Sequence, residues 1–229
     1  MKPEVLCPPY FYSNFPLLER VIPLNIWVEI QEYKTPDGGT VSIHKDVTKR
    51  KEEEDRLSQL ALYDSLTNLA NRSLFEKNLQ DVFKASEESE TFFSILYLDL
   101  DGFKNINDTL GHEFGDKILV SVAKRIQTCI RSRDLAARLG GDEFAVLLPK
   151  SQDIETTKLI AERIIESIGS TVTHEGYTAE FGVSIGIAGF PNDGKTSDEL
   201  LKSADKAMYA AKRAGKGQYK TYEDILKAS

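Results

Sequence analysis

Two acidic clusters carry the residue types and spacing that chemistry would need. The first is Leu98-Asp99-Leu100-Asp101, at the end of the apolar run 92–98. On a strand, side chains alternate across the sheet, so Asp99 and Asp101 share a face about 7 Å apart. Two carboxylates so placed repel each other unless positive charge sits nearby. A divalent metal ion is the usual remedy, and hard Mg²⁺ prefers oxygen ligands. Strand-end aspartates that cap the following turn are the alternative reading. The second cluster is Gly140-Gly141-Asp142-Glu143-Phe144. Its paired glycines permit a tight turn and leave space for a bulky ligand against the main chain. The adjacent carboxylates could complete a metal site with Asp99. A Gly-Gly-Asp turn alone is common and carries little.

The elements around these clusters decide whether they can meet. The run 92–98 is rich in aromatic and branched residues and suits a buried strand. Residues 135–139 and 143–148 flank the double glycine and predict a β-hairpin with its tip there. Residues 71–84, 113–130, 155–168 and 197–213 have helical periodicity. Residues 179–188 predict a strand in which Gly182 and Gly186 admit a close backbone neighbour, and 219–222 an edge strand. The order strand–helix–strand–strand–helix–strand over 92–188 is that of a ferredoxin-like split βαβ sheet with helices on one face. The fold class expected is α+β, a central antiparallel sheet flanked by helices. In such a sheet the first and third strands lie side by side. The hairpin turn then comes near the end of the first strand, the geometry needed for metal-assisted attack of a hydroxyl on an α-phosphate.

Ahead of this region the pattern differs. Residues 1–23 hold several prolines and aromatics without a steady period and are read as irregular. Residues 24–34 and 40–44, joined by Pro36-Asp37-Gly38-Gly39, suggest a hairpin. A charged run from Lys49 to Arg56 follows, with Leu57, Leu60, Ala61 and Tyr63 at helical spacing. This is either a solvated linker helix or a short parallel coiled coil that pairs two chains.

Composition narrows the classes further. The 229 residues are 41% hydrophobic and 28% charged, as in ordinary globular proteins, with a formal net charge of −7. That charge argues against broad binding to DNA or RNA. No apolar run approaches the roughly 20 residues needed to span a bilayer, and no basic-then-apolar leader is present. Cys7 and Cys129 lack metal or disulfide spacing and read as thiols in a reducing compartment. The expected location is cytoplasmic.

The motifs together resemble the GGDEF family of diguanylate cyclases. Carrying the resemblance are Asp99-Leu100-Asp101-Gly102-Phe103-Lys104-Asn105-Ile106-Asn107-Asp108, Gly111-His112, Gly115-Asp116 and Arg138-Leu139-Gly140-Gly141-Asp142-Glu143-Phe144. Tyr63-Asp64-Ser65-Leu66-Thr67-Asn68-Leu69-Ala70-Asn71-Arg72 is similar to the family's opening motif. Ala204-Asp205 and Ala207-Met208-Tyr209-Ala210-Ala211-Lys212 are similar to its last helix. The match runs over about 62–222, with the family's order and spacing. It implies condensation of two GTP into cyclic di-GMP by a homodimer, with two Mg²⁺ (or Mn²⁺) ions per site.

The resemblance also implies roles. Asp99, Asp142 and the carbonyl of Leu100 would hold metal. Asp142 would accept the 3′-hydroxyl proton, with Glu143 beside it; sequence does not rank the two. Asn107 and Asp116 would read guanine, whose N1–H and N2–H a carboxylate can accept together; apart from the family they read as a turn residue and a helix-start carboxylate. Lys104 and Lys212 would hold phosphate, and otherwise read as solvated lysines. Phe103, Gly140, Gly141 and Lys216 complete the substrate set. Lys216 lies in Gly215-Lys216-Gly217 where the family often has Gly-Arg-Asn, so the two-pronged grip of arginine on phosphate is absent. Arg131 and Asp134 fit an RxxD site that binds cyclic di-GMP as inhibitor, where the bland alternative is a surface ion pair. Lys45-Asp46-Val47-Thr48 resembles the exit of a PAS sensor. The expected organisation is a truncated PAS-like segment over 1–46, a signalling helix over 47–63 and the cyclase domain over 64–229.

Overall fold

The computed structural model describes residues 17–21, 26–151, 153–169, 172–174 and 177–227. The chain forms two compact units, Met1–Gln59 and Leu60–Ser229.

In the first unit, strands β1 (Leu17–Val21), β2 (Ile26–Lys34) and β3 (Thr40–Asp46) form an antiparallel sheet in that order. Over 17–21, β1 corrects the irregular reading of 1–23, the rest of which lies outside the described residues. Its five residues carry too little pattern to announce a strand, and pairing with β2 over Leu17↔Ile30 to Val21↔Ile26 supplies what local sequence lacks. The expected hairpin is β2–β3, closed by Gly38 N–H donating to Thr35 O at 3.0 Å with Gly38 at φ 86°. Asp46 accepts from Thr48 N–H at 2.9 Å as helix α1 (Thr48–Leu62) begins. The boundary between the units falls inside this helix.

The second unit is built on a five-stranded sheet of order β10-β9-β4-β6-β5. The strands are β4 (Phe93–Asp101), β5 (Leu135–Gly140), β6 (Glu143–Leu148), β9 (Gly182–Phe190) and β10 (Tyr219–Thr221). The four strands of the expected split βαβ unit are antiparallel, with β4 between β6 and β9 as that order requires. β10 joins β9 in parallel, so the complete sheet is mixed. A short hairpin, β7 (Val172–His174) and β8 (Tyr177–Ala179), precedes β9, which starts later than the expected residue 179.

Helices cover both faces. α4 (His112–Cys129) and α5 (Ile154–Ile168), the two helices expected inside 92–188, lie on one face as expected. There Ile118, Val122, Ile126 and Ile164 pack with Leu96, Leu98, Val146 and Ile187. α2 (Arg72–Ser89) and α6 (Ser197–Arg213) cover the other face, where Phe75, Leu79, Leu200 and Ala204 meet Ile95, Tyr97, Leu147 and Ala188. Gly186 is where α6 seats: a Cβ there would lie 1.9 Å from Ala204 O, the close approach the strand glycines predict. Asn71, Asp153 and Thr196 cap α2, α5 and α6, each accepting a main-chain N–H three residues on. Each cap contributes about 1 kcal/mol. Among the described residues two helices go unpredicted, α3 (Phe103–Leu110), directly after β4, and the short α7 (Tyr222–Lys227), directly after β10.

Candidate active site

Strand pairing brings the acidic clusters together. Asp99 in β4 is the Cα partner of Glu143 in β6, and Leu100 N–H donates to Asp142 O at 3.3 Å. Between β5 and β6, Gly140 and Gly141 take φ of 147° and 52°, conformations that side-chain-bearing residues rarely adopt. The turn therefore sits beside the end of β4.

Asp99 is 8% exposed. Burial raises its pKa above the ordinary aspartate value, and the nearby charges of Asp142 and Glu143 push the same way. Lys212, in the last turn of α6, opposes this with Nζ 2.6 Å from Asp99 Oδ1. Two residues earlier on the same face, Tyr97 is pushed up to about 12, first by burial and then by the charge of Glu143. This end of β4 is an anion-rich, half-dry place where a hard cation would relieve repulsion. Among the described residues no group of three or more His, Cys, Asp or Glu side chains forms a ready metal cage. The donors on offer are the carboxylates of Asp99 and Asp142 and the carbonyl of Leu100, a hard-oxygen set suited to Mg²⁺ or Mn²⁺.

Asp101 has another task. Its carboxylate accepts from Ser184 Oγ at 2.8 Å and from Gly217 N–H at 2.9 Å. It thereby ties the 215–217 loop to the end of β4 and does not pair with Asp99 as a second metal carboxylate. In that loop Lys216 is exposed at φ 64°.

Three positioning residues went unassigned at the level of sequence. Arg138 spans Asp64 and the glycine turn: Nη1 lies 3.2 Å from both Asp64 oxygens, and Nε and Nη2 donate to Gly141 O at 3.0 and 2.8 Å. Asp64 also accepts from Thr67 N–H and Oγ1, at 2.8 and 2.6 Å. Burial would raise the pKa of Asp64, but the Thr67 bonds and the Arg138 charge outweigh it and hold it low. Arg72 donates from Nε to Leu139 O at 3.2 Å and reaches Glu143 at 3.5 Å. The signal that could have found them is position: Asp-x-x-Thr is a turn-closing pattern, and Arg138 immediately precedes the turn it braces.

The other expected residues fall in three places. Asn107 on α3 and Asp116 on α4 flank the corner at Gly111, whose N–H donates to Asn107 O at 2.9 Å. Asp116 is exposed, whereas Asn107 Oδ1 is buried without a hydrogen-bond partner among the described residues. Phe103 is buried in the α4-side core at the start of α3, with Lys104 exposed beside it. Arg131 and Asp134 lie at the far end of α4, edging a depression of about 460 Å³ that Tyr63, Asn68 and Gln127 also line. The Asp134 carboxylate accepts from the main-chain N–H of Arg131 at 2.8 Å, so it stabilises its own turn.

With this geometry in hand, the likenesses to known proteins are specific. The chain is 40% identical over 173 residues to the bifunctional diguanylate cyclase/cyclic di-GMP phosphodiesterase MucR of Pseudomonas aeruginosa, covering 76% of this chain and 25% of MucR. The chain thus spans about a quarter of that relative's length. Its structure is similar to the crystal structure of the GGDEF domain of Pseudomonas aeruginosa TpbB, with a TM-score of 0.66 and 42% identity over 68% of this chain and 97% of that one. It is also similar to the coiled coil and GGDEF domain of Caulobacter crescentus DgcB in complex with cyclic di-GMP. There the TM-score is 0.71 and identity 31%, covering 76% of this chain and 93% of that one. The family described as "Diguanylate cyclase, GGDEF domain" matches residues 61–218. A split βαβ sheet that carries Gly-Gly-Asp-Glu-Phe at its β5–β6 hairpin, matched over most of the second unit, makes this chain a member of the GGDEF family.

Proposed function

We propose that the chain is a diguanylate cyclase that condenses two GTP into cyclic di-GMP and releases two pyrophosphates. The observation that carries this reading is the pairing of β4 with β6, which sets Asp99 opposite Glu143 and beside Asp142. In this reading Asp99, Asp142 and the Leu100 carbonyl hold Mg²⁺ or Mn²⁺, two ions per site. The metal, when bound, supplies charge neutralisation for the triphosphate. Asp142 accepts the proton of the 3′-hydroxyl as that oxygen attacks the α-phosphate of the second GTP. Glu143 already has Arg72 as a partner, which favours Asp142 for the proton.

Asn107 and Asp116 select guanine, because adenine lacks the N1–H and N2–H donors that they accept. Phe103 anchors the start of α3 beneath the substrate, and the open glycines at 140 and 141 let the nucleotide lie on the main chain. Lys104, Lys212 and Lys216 receive phosphate oxygens as point charges. Lys212 exchanges its contact with Asp99 for phosphate when cation and GTP arrive together.

Each domain holds one GTP, so turnover needs two copies face to face. The exposed Leu57 and Leu60 of α1 suit a pairing seam. In the proposed organisation residues 64–229 are the cyclase domain, 47–63 the signalling helix and 1–46 a PAS-derived segment, in the cytoplasm. Product bound at Arg131 and Asp134 would inhibit. Among the described residues no helix is long and apolar enough to cross a membrane.

Incubating the purified chain with GTP and Mg²⁺ tests the reading. The expected result is cyclic di-GMP and pyrophosphate at one to two, with specific activity rising with protein concentration. GTP binding without pyrophosphate release would make the chain a receptor instead.

A further inference from the structure

Gly115 lies in the fourth position of α4 and is buried. A glycine there is costly: Ala in a helix interior is more favourable by about 1 kcal/mol. Backbone conformation does not explain it, since Gly115 is not among the residues with positive φ. Space does. A Cβ at this position would lie 1.9 Å from Asn107 Oδ1, 3.0 Å from Asn107 Cγ and 3.2 Å from Phe103 Cζ. The nearest obstacle is therefore the tip of a side chain and not a backbone atom, and it is the side chain that would move.

That tip is also the one buried side-chain oxygen or nitrogen without a partner among the described residues. A buried acceptor left unmade costs about 1–3 kcal/mol. Helix α4 therefore forgoes a favourable alanine in order to admit an amide whose oxygen has no partner among the described residues. Both features become economical if a ligand with N–H donors completes the bond. Guanine offers N1–H and N2–H, whereas hypoxanthine lacks the amino group.

We infer that Gly115 is the positioning residue for base recognition, acting through Asn107 by leaving empty the volume its amide enters. This rests on the reading of Asn107 as a guanine contact. The test is a cycle of Gly115→Ala, Asn107→Ala and the double variant, measured by GTP affinity, KM and kcat, with ITP (inosine triphosphate) as competitor.

In Gly115→Ala the KM for GTP should rise about tenfold or more, the loss of one hydrogen-bonded base contact. Its kcat should stay within about threefold, because the metal carboxylates are untouched. Preference for GTP over ITP should fall to the level of Asn107→Ala. In the Asn107→Ala background the same substitution should change GTP affinity less than about twofold, and thermal stability should hold or rise as alanine favours the helix.

Equal losses in both backgrounds, or wild-type affinity and base preference in Gly115→Ala, would overturn the inference. If Gly115→Ala alone does not fold, a folded double variant with the affinity of Asn107→Ala sustains the inference, and an unfolded one defeats it. A wild-type chain with no GTP affinity would instead remove the functional reading underneath. Wild-type affinity that Asn107→Ala reduces and Gly115→Ala does not would sink this inference alone.

Discussion

The two sides of the site are finished to different degrees. Around the glycine turn, the protein's own groups meet one another: Arg138 with Asp64 and Gly141 O, Arg72 with Leu139 O and Glu143, Lys212 with Asp99. At the α3–α4 corner, Asn107 Oδ1 is buried with nothing to accept and Asp116 stands in solvent. Fixed dipoles and charges lose least on binding where chemistry is to occur, since they need no reorganisation at the moment of reaction. Base selection gains from the opposite state. A group left unpaired until the right donor arrives makes the wrong base costly.

The largest expected effect breaks the finished side at its reacting end. Asp142→Ala should lower kcat by about a thousandfold, the scale of losing the proposed acid–base group and metal ligand together. Its melting temperature should hardly move, because the turn is held through main-chain atoms and Arg138. Asp99→Asn should also abolish cyclic di-GMP formation, yet with a gain in stability. The pKa of Asp99 is raised on folding, so its ionised form costs stability above the ordinary aspartate range, and that cost disappears as pH falls through the raised value. At neutral pH Asp99→Asn should therefore melt higher than wild type, and the difference should shrink towards acid pH in calorimetry.

Smaller effects sharpen the contrast. Arg138→Ala removes a half-buried cation from Asp64 and Gly141 O, with side chains 13% and 23% exposed for Arg138 and Asp64. A loss of about 2 kcal/mol in denaturant unfolding is expected, below the full value for a buried pair because the site is partly wet. kcat should fall between about tenfold and a hundredfold while GTP affinity changes little, because the α3–α4 corner is untouched. Asp64→Asn probes the same brace by pH. The pKa of Asp64 is lowered on folding, so its contribution is present above the unfolded value of about 4 and is lost as pH falls through the lowered value. The stability gap that separates wild type from Asp64→Asn at pH 7 should close in acid.

How much of this was legible in the sequence follows from how local each determinant is. The apolar run of β4, the hairpin around Gly140 and Gly141 and the periodic helices α4, α5 and α6 are stated by near neighbours, and the sheet order followed from them. α3 was hidden because Lys104, Asn105, Asn107, Asp108 and Thr109 read as turn; its face is only Phe103, Ile106 and Leu110, which acquire meaning against α4. β1, β7 and β8 are too short for periodicity and exist through pairing.

Within the site, Asp99 and Asp142 could be foreseen as neighbours from topology. The fate of Asp101 could not, since its partners Ser184 and Gly217 come from distant parts of the chain. Gly115 stands in the sequence only as part of the Gly115-Asp116 motif, and the position of Asn107 gives it a reason.

The central claim is that the ends of β4 and the β5–β6 turn act as one cation site. Electron paramagnetic resonance of Mn²⁺ titrated into the protein with a non-reactive GTP analogue addresses it directly. The account predicts tight, nucleotide-dependent Mn²⁺ binding in the wild type that Asp99→Asn and Asp142→Asn each weaken strongly, with the double variant little worse than either. Full Mn²⁺ occupancy in either single variant, or independent additive losses, would contradict it.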